Sequence, residues 1–333
     1  MEEIKKIVVL GSNSFTGSHF IDYALVNSDT KIIGVSRSTE KDPIFLPHHY
    51  KKNHSSRFSF YQIDLNNHFD NLMKLLDREK PEVIMNYAAQ GEVRNSWRWP
   101  DHWFQTNTMN VVRLAHELKD RNYLKKYLNV STSAVYADSK EAATEHSLVG
   151  PSTPYGVSKL AADMYLSTIH GKDNFPVITQ RTAIHYGIHQ DLFRIIPKTI
   201  VSLKRGEVLP LHGGGKSTST FTNVRDLAVA ANLLIYEGKP GETYNITSED
   251  RISINDLVRK VCEMMGKSFE ERTKVEASVQ PAHQFSMDCS KIKSELGWQQ
   301  TVSLEEGIEE MIGWISDNWE VMQAQDLEYA HKV

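Results

Sequence analysis

The chain has 333 residues, 40% of them hydrophobic, a formal charge of -4 and two cysteines, Cys262 and Cys289. That size and apolar content exclude a disordered chain and fit one large domain or two coupled ones, and the weakly acidic balance excludes a broad basic field for nucleic acid. Two distant thiols exclude a disulfide framework or a four-thiolate zinc site, no apolar run reaches the ~18 residues of a membrane span, and the opening MEEIKKIVVLGS has no small-residue cleavage site, so a cytoplasmic protein free of membrane is expected.

KKIVVLGS is a continuous apolar run ending in glycine, the pattern of a strand buried on both faces of a parallel sheet. FTGSHFIDYALVNS then places Phe20, Ile21, Ala24 and Leu25 on one helical stripe, and TKIIGVSRS reads as the second strand. RFSFYQIDL is a third strand, NNHFDNLMKLLDREK a helix stopped by Pro81, and EVIMNYAA a fourth strand. A helix at about 103–121, a strand at KKYLNVSTS, a helix from YGVSKLAADMYLSTI and a strand at FPVITQRTAIHYG continue the alternation. The fold class is therefore α/β, a Rossmann-type doubly wound parallel sheet over residues 1–185. Beyond Gly187 the pattern loosens, and 186–333 reads mainly as a smaller C-terminal α/β substrate domain with some segments returning to the first. Two amphipathic helices are expected there, at ISINDLVRKVCEMMG and SLEEGIEEMIGWISDNW, the second with Ser303 and Glu306 as a capping box.

Gly11, Ser14 and Gly17, with Phe15 and Thr16 between them, lie between the first strand and first helix, spaced as in a turn that sets a helix N-terminus against a pyrophosphate. Ser14 stands at the middle position, where glycine usually lets the backbone come close. The second strand ends in Ser36 and Arg37 instead of an acid, which suits a ribose 2′-phosphate and tilts the expected cofactor from NAD to NADP. Asp64 and Leu65, at the end of the third strand, are candidates for the adenine pocket.

YGVSK places Tyr155 and Lys159 on one helix face, one turn apart. A nearby ammonium depresses a phenol's pKa, so Tyr155 is a candidate base toward a sugar hydroxyl. The preceding strand ends in Ser131 and Thr132, hydroxyls able to hold the same oxygen.

With these residues the sequence resembles the extended short-chain dehydrogenase/reductase family, in particular its nucleotide-sugar epimerases and 4,6-dehydratases. The resemblance runs over about residues 6–318: Ala88, Ala89, Ser96, Pro100 and Asn107 in NYAAQGEVRNSWRWPDHWFQTNTMNVVRL, then PSTPYGVSKLAAD, TNVRD and DCSKIKSELGWQQTVSLEEGI. It implies a nicotinamide cofactor that takes hydride from C4 of a nucleoside-diphosphate hexose. Tyr155 would remove the O4 proton, Lys159 would bind the nicotinamide ribose and tune Tyr155, and Thr132 would hydrogen-bond O4. Ala88, Ala89, Gln90, Asn107 and Ser131 would join the cofactor site. The helices at about 103–121 and 155–170 resemble those through which relatives form homodimers.

Dehydratases of this family usually carry a Glu, often after an Asp, directly behind the threonine. STSAVYAD has Ser133 and Ala134 there. Losing a general acid or base costs roughly 10²- to 10⁴-fold. Overall resemblance favours a 4,6-dehydratase-type reaction, with Ser133 and a relocated acid, Glu92, as candidate catalytic groups. A 4-epimerase or C4 dehydrogenase, a catalytically inactive cofactor-binding homologue, and an engineered Glu-to-Ala variant that traps substrate stay open. Ala134 itself would line the substrate. Ile184 and Ser219 stand where the family commonly has Asn and Arg for the sugar nucleotide, so His185, Arg194, Lys198 and Lys216 are candidate substitutes through charge-assisted bonds. His48 and His49 read as a surface loop, and no metal site is expected. Trp97, Trp99 and Trp103 read as structural packing.

Overall fold

The computed structural model describes residues 4–50, 56–139, 141–249, 251–277 and 286–332. In chain order the strands are β1 Lys6–Leu10, β2 Lys31–Ser36, β3 Phe58–Gln62, β4 Val83–Asn86, β5 Lys126–Thr132, β6 Val177–Thr182, β7 Ile184–Tyr186, β8 Leu209–His212, β9 Thr218–Asn223, β10 Thr243–Ile246, β11 Arg251–Ser253 and β12 Thr273–Glu276. Seven of them form one sheet in the order β10-β6-β5-β4-β1-β2-β3, parallel at every pairing. The apolar run of β1 is explained by what covers it. Ile7 and Val9 enter the core on one face, with Phe20, Ile21, Ala24 and Leu25 of the first helix, while Val8 and Leu10 enter the core on the other, with Leu72, Leu76 and Leu114. Strand order reverses between β1 and β4, so the crevice that an open α/β sheet offers a ligand lies beyond their carboxyl ends.

The helix expected at 103–121 starts earlier and is not uniform. It runs as Pro100–Phe104, a π-helical turn Gln105–Met109 and Asn110–Leu118. A π-turn inside a helix is a common mark of a functional site. Here it aims Asn107 inward, where the side chain is completely buried.

Beyond Gly187 a second core gathers Leu257, Val258 and Val261 of the helix Ile254–Met264 with Ile308, Met311 and Ile315 of the helix Leu304–Asp317. The capping box forms as expected: Ser303 Oγ accepts from Glu306 N–H, and the Glu306 carboxylate accepts from Ser303 N–H. The irregular pattern arises from short strands, the β11-β9-β7 sheet and the β12-β8 pair, which offer too few residues for an alternation to show. Two segments rejoin the large sheet: β10 extends it beside β6, and the helix Val224–Tyr236 buries Leu227, Ala230 and Leu234 against the first helix. Among the described residues no helix is long and apolar enough to cross a membrane.

Candidate active site

The turn after β1 is built by close backbone approach. Gly11 has φ +80, and a Cβ there would come 2.7 Å from Ala88 N, so glycine alone lets this turn meet the end of β4. A Cβ on Gly17 would lie 2.5 Å from Gly11 O. Ser14 caps the helix, its Oγ accepting from Gly17 N–H at 3.1 Å, so the hydroxyl closes the turn where a glycine was expected. The amides of Phe15 and Thr16 occupy the first helical turn, where N–H groups have no intrahelical partner and the helix dipole favours an anion.

Several residues flagged for direct cofactor contact are held by the protein itself. Ser36 Oγ accepts from Asn13 N–H at 3.0 Å and sits 3.3 Å from Ser12 Oγ. Asp64 is folded into a local turn, accepting from Asn66 N–H and Asn67 Nδ2 at 2.8 Å each, and the adjacent Leu65 is buried. Asn107 clamps Gln90 from both sides, accepting from its N–H at 2.8 Å and donating to its carbonyl at 3.1 Å, and donates to Ser158 Oγ at 3.0 Å. These residues shape the crevice and position its walls. Arg37 is half-buried at the end of β2, where Gln62 holds its carbonyl. Ala88 and Ala89 follow β4, Ala88 N–H bonded to Asn86 Oδ1.

The helix Pro154–Asp173 begins with Thr153 capping Gly156 N–H at 3.1 Å. Gly156 is required there because a Cβ would lie 2.4 Å from Ala134 O, and this contact sets Tyr155 beside the 3₁₀ turn Ser133–Val135. Thr132 Oγ accepts from Ala134 N–H at 3.2 Å and lies against the Tyr155 phenol. Burial raises that phenol above its usual range, while the Thr132 hydroxyl and the Arg194 guanidinium act to lower it. Arg194 is itself exposed, and the buried Asp163 opposes it by raising the phenol. Lys159 instead donates to Val130 O at 2.7 Å, and burial lowers its pKa against the opposing pull of Asp163.

Asp163 was not singled out by the sequence reading. It continues the stripe of Tyr155 and Lys159 by one more turn, a spacing that could have found it. Its carboxylate accepts from Asn129 Nδ2 at 2.9 Å, Ser131 Oγ at 2.8 Å and Arg181 Nε at 3.2 Å. Ser131, expected at the cofactor or substrate oxygen, thus spends its hydroxyl underneath the site. Arg181 continues the network, donating to Tyr136 Oη at 3.0 Å, and Tyr136 donates to Asn245 Oδ1 at 2.7 Å. Five buried polar residues, from β5, β6, β10 and the residue after the Ser133–Val135 turn, therefore underpin the helix Pro154–Asp173.

On the sugar side the picture is sparser. Glu92 accepts from Asn95 N–H at 2.7 Å, which gives the proposed relocated acid a local capping role. Ser133 and Ala134 are half-buried beside Tyr155. His185 stacks on Phe15 with ring centroids 5.8 Å apart, and burial with Arg194 nearby pushes its pKa down to about 4. That shift favours a neutral ring near pH 7; its buried Nδ1 has no partner. Arg194 is exposed above Phe193, Lys198 is paired with Glu328 at 2.7 Å, and Lys216 is exposed after the Gly213–Gly215 turn. Ile184 is 43% exposed, and Ser219 lies in β9.

The histidine pair is not a surface loop. His48 is buried on the one-turn helix Pro47–Tyr50, and His49 meets Glu40 at 2.6 Å. Trp103 is fully buried, as packing predicts, whereas Trp97 is 56% exposed.

A parallel sheet with its crevice at β1/β4, a glycine-shaped anion turn and a Thr-Tyr-Lys group define the extended short-chain dehydrogenase/reductase class. Residues 8–311 match the family described as GDP-mannose 4,6 dehydratase, and the chain belongs to that family. It is 26% identical to the dTDP-glucose 4,6-dehydratase of Haemophilus influenzae, over 92% of this chain and 97% of that protein. Two solved structures superpose on it closely. One is dTDP-glucose 4,6-dehydratase from Bacillus anthracis in complex with NAD, at TM-score 0.85 and 26% identity, covering 95% of this chain and 98% of that one. The other is UDP-glucuronic acid 4-epimerase from Bacillus cereus in complex with UDP-glucuronic acid and NAD, at TM-score 0.84 and 28% identity, covering 94% and 99%.

Proposed function

We propose that this chain is a nicotinamide-dependent enzyme that oxidises C4 of a nucleoside-diphosphate hexose. The observation that carries the reading is the placement of Tyr155 against Thr132, on a helix whose next turn presents Lys159. The crevice fits the cofactor: a Cβ on Gly11 or Gly17 would fill the turn, and the Phe15 and Thr16 amides stand where a pyrophosphate would be received. When bound, the nicotinamide supplies the hydride acceptor, and the remaining work falls to the side chains. Thr132 orients the O4 hydroxyl. Tyr155 takes its proton, with the Thr132 hydroxyl beside the phenol. Lys159, fixed on Val130 O, would bind the ribose hydroxyls. Arg37, standing where an acid would favour NAD, supports NADP, although the two structures named above hold NAD. Comparing dissociation constants for the two dinucleotides tests this, and tighter NAD would overturn it.

For the second step, family membership and the named dehydratase relatives support 4,6-elimination. A specific observation favours the second reading, C4 epimerisation or simple oxidation: Ala134 carries no proton, and the Glu92 carboxylate is occupied by Asn95 N–H. Incubation with a panel of nucleotide sugars in heavy water distinguishes them. A product lighter by about one water indicates elimination, unchanged mass with a new C4 configuration indicates epimerisation, and no substrate-dependent cofactor reduction or product sinks the enzyme reading.

The cytoplasmic reading rests on the two cysteines, which are both buried and unpaired. The homodimer reading is supported by Met109, Val157 and Met164, exposed apolar side chains along the two helices through which relatives pair, and by exposed Trp97 just before the first of them. Sedimentation at micromolar concentration would show a dimer, lost on Met164→Glu.

A further inference from the structure

After the short helix Trp319–Met322 the chain leaves the second core and crosses to the dinucleotide side. Its near end is anchored on the lid. Arg205 Nη2 donates to Gln323 O at 2.9 Å and Gln325 O at 2.7 Å, Leu327 is 8% exposed in the lid core, and Glu328 takes Lys198 at 2.7 Å. The far end is anchored on the other bank. His331 stacks on Trp99 at 4.5 Å and on Trp103 at 5.2 Å, its Nε2 lies 2.9 Å from His102 Nδ1, and Gln90 Nε2 donates to Lys332 O at 2.8 Å. Between the anchors Tyr329 packs edge-on to Phe193 at 5.1 Å and lies in the field of Glu92, Arg37 and Arg194.

These contacts have a geometric consequence. Leu327 and Lys332 are five residue steps apart, and an extended chain of that length reaches at most about 18 Å. With both ends held, the lid and the dinucleotide side cannot move apart. Gln90, on the dinucleotide side, and Lys198, on the lid, are also engaged by the segment itself.

We propose that Leu327–Lys332 is a strap latched across the mouth of the crevice by His331, Trp99, Trp103 and His102, and that it unlatches for the sugar nucleotide to bind and the product to leave. The strap is therefore a gate on exchange, with Tyr329 facing the bound sugar nucleotide. This assignment of cargo rests on the function proposed above; the latch itself does not. The alternating exposure of Glu328, Ala330 and Lys332 leaves one edge of the strap in water, as a segment that opens repeatedly requires.

Limited proteolysis and stopped-flow binding test it together, on the full chain and on two variants, His331→Ala and Trp99→Leu, which loosen the latch from the strap and from the bank it is seated on. Chymotrypsin should cut the parent slowly after Tyr329. Each variant should be cut there about 2- to 10-fold faster, the weight of one aromatic stack, with no change in cleavage elsewhere. Association and dissociation rates of the nucleotide sugar, and of reduced dinucleotide followed by tryptophan energy transfer, should both rise by a similar factor. Cleavage of the parent after Tyr329 as fast as in the unfolded chain would overturn the latch, and unchanged rates in both variants would overturn the gate. A parent that binds dinucleotide but no nucleotide sugar would instead sink the proposed function, leaving the latch judged by proteolysis and the gate by dinucleotide rates.

Discussion

The two banks of the crevice are built on opposite plans. On the dinucleotide side the polar groups at the crevice are gripped by protein partners: Ser14 closes the turn, Asn107 grips Gln90, and Asp163 gathers Asn129, Ser131 and Arg181 under the helix Pro154–Asp173. On the sugar side Ile184, Arg194 and Lys216 are exposed, and Lys198 is turned to Glu328. The contrast separates two requirements. Proton and hydride transfer depend on placement within fractions of an ångström, which buried networks fix. On the function proposed above, choice of sugar and fate of the keto group would sit on positions outside that network, such as Ala134 and Ser219.

The largest effect expected from breaking this contrast is Tyr155→Phe. It should lower turnover roughly 10²- to 10⁴-fold by removing the proton acceptor, with cofactor binding and melting temperature unchanged. Ala134→Glu addresses the other bank: it should leave stability alone and add elimination of about one water, read by product mass. If Tyr155→Phe keeps its rate on every active substrate, the assignment of the base fails.

Next comes Arg181→Met. The Asp163 and Arg181 side chains are 4% and 9% exposed, so the substitution strands a carboxylate without solvent to replace its partner. A loss of about 3–5 kcal/mol in urea unfolding is expected. Arg181→Met with Asp163→Leu should recover much of it, since a buried pair is often replaceable by apolar residues of similar volume. Recovery of stability without recovery of activity would mark the network as a positioning device for Lys159 and Ser131. A single variant as stable as the parent would contradict the account of this bank.

What could be read in advance follows the same division. Strands buried on both faces, such as KIVVL of β1, announce themselves by composition, and the Ser303–Glu306 box by local spacing, because both signals lie within a few residues. The Asp163–Arg181–Tyr136–Asn245 chain links residues up to 109 positions apart, and no local pattern reports such partners. For Ser36, Asp64 and Asn107 the sequence marked the right place in the fold; it could not show that the protein's own amides occupy their side chains. The strap was missed because Tyr329 and His331 carry no periodicity and find their partners only once the helix Pro100–Phe104 is folded.

A smaller effect is expected where the banks meet. His19, on the first helix, makes a 3.0 Å hydrogen bond to Ile188 O in the crossing toward the lid, and burial with His189 nearby pushes its pKa down to about 3 from 6.5. The fold holds the ring neutral, whereas the unfolded chain takes up a proton once the pH drops below about 6.5. Its contribution is therefore intact above that pH and declines toward pH 3, by about 2 kcal/mol at pH 5. His19→Gln should flatten this part of the acid-unfolding profile. Equal slopes between pH 6.5 and 4.5 in parent and variant would exclude His19 as the source.

The smallest expected effect lies in the lid and leaves both banks untouched. Ser303 Oγ caps the helix Leu304–Asp317 by accepting from Glu306 N–H at 3.2 Å, while Ser303 O accepts from Tyr186 Oη at 3.0 Å, tying the helix start to β7 beside His185. Ser303→Ala removes the hydroxyl and keeps the carbonyl. It should cost about 1 kcal/mol, the worth of one N-cap, because an alternative acceptor for the Glu306 amide is water alone. Gly307 separates the two functions further, since a Cβ there would lie 2.4 Å from Tyr186 Oη. Gly307→Ala should therefore push against β7 and raise the Michaelis constant for the sugar nucleotide, whereas Ser303→Ala lowers only the melting temperature. If both variants change kinetics alike, lid stability and crevice geometry are not separable, and the independence of the two banks fails at this helix.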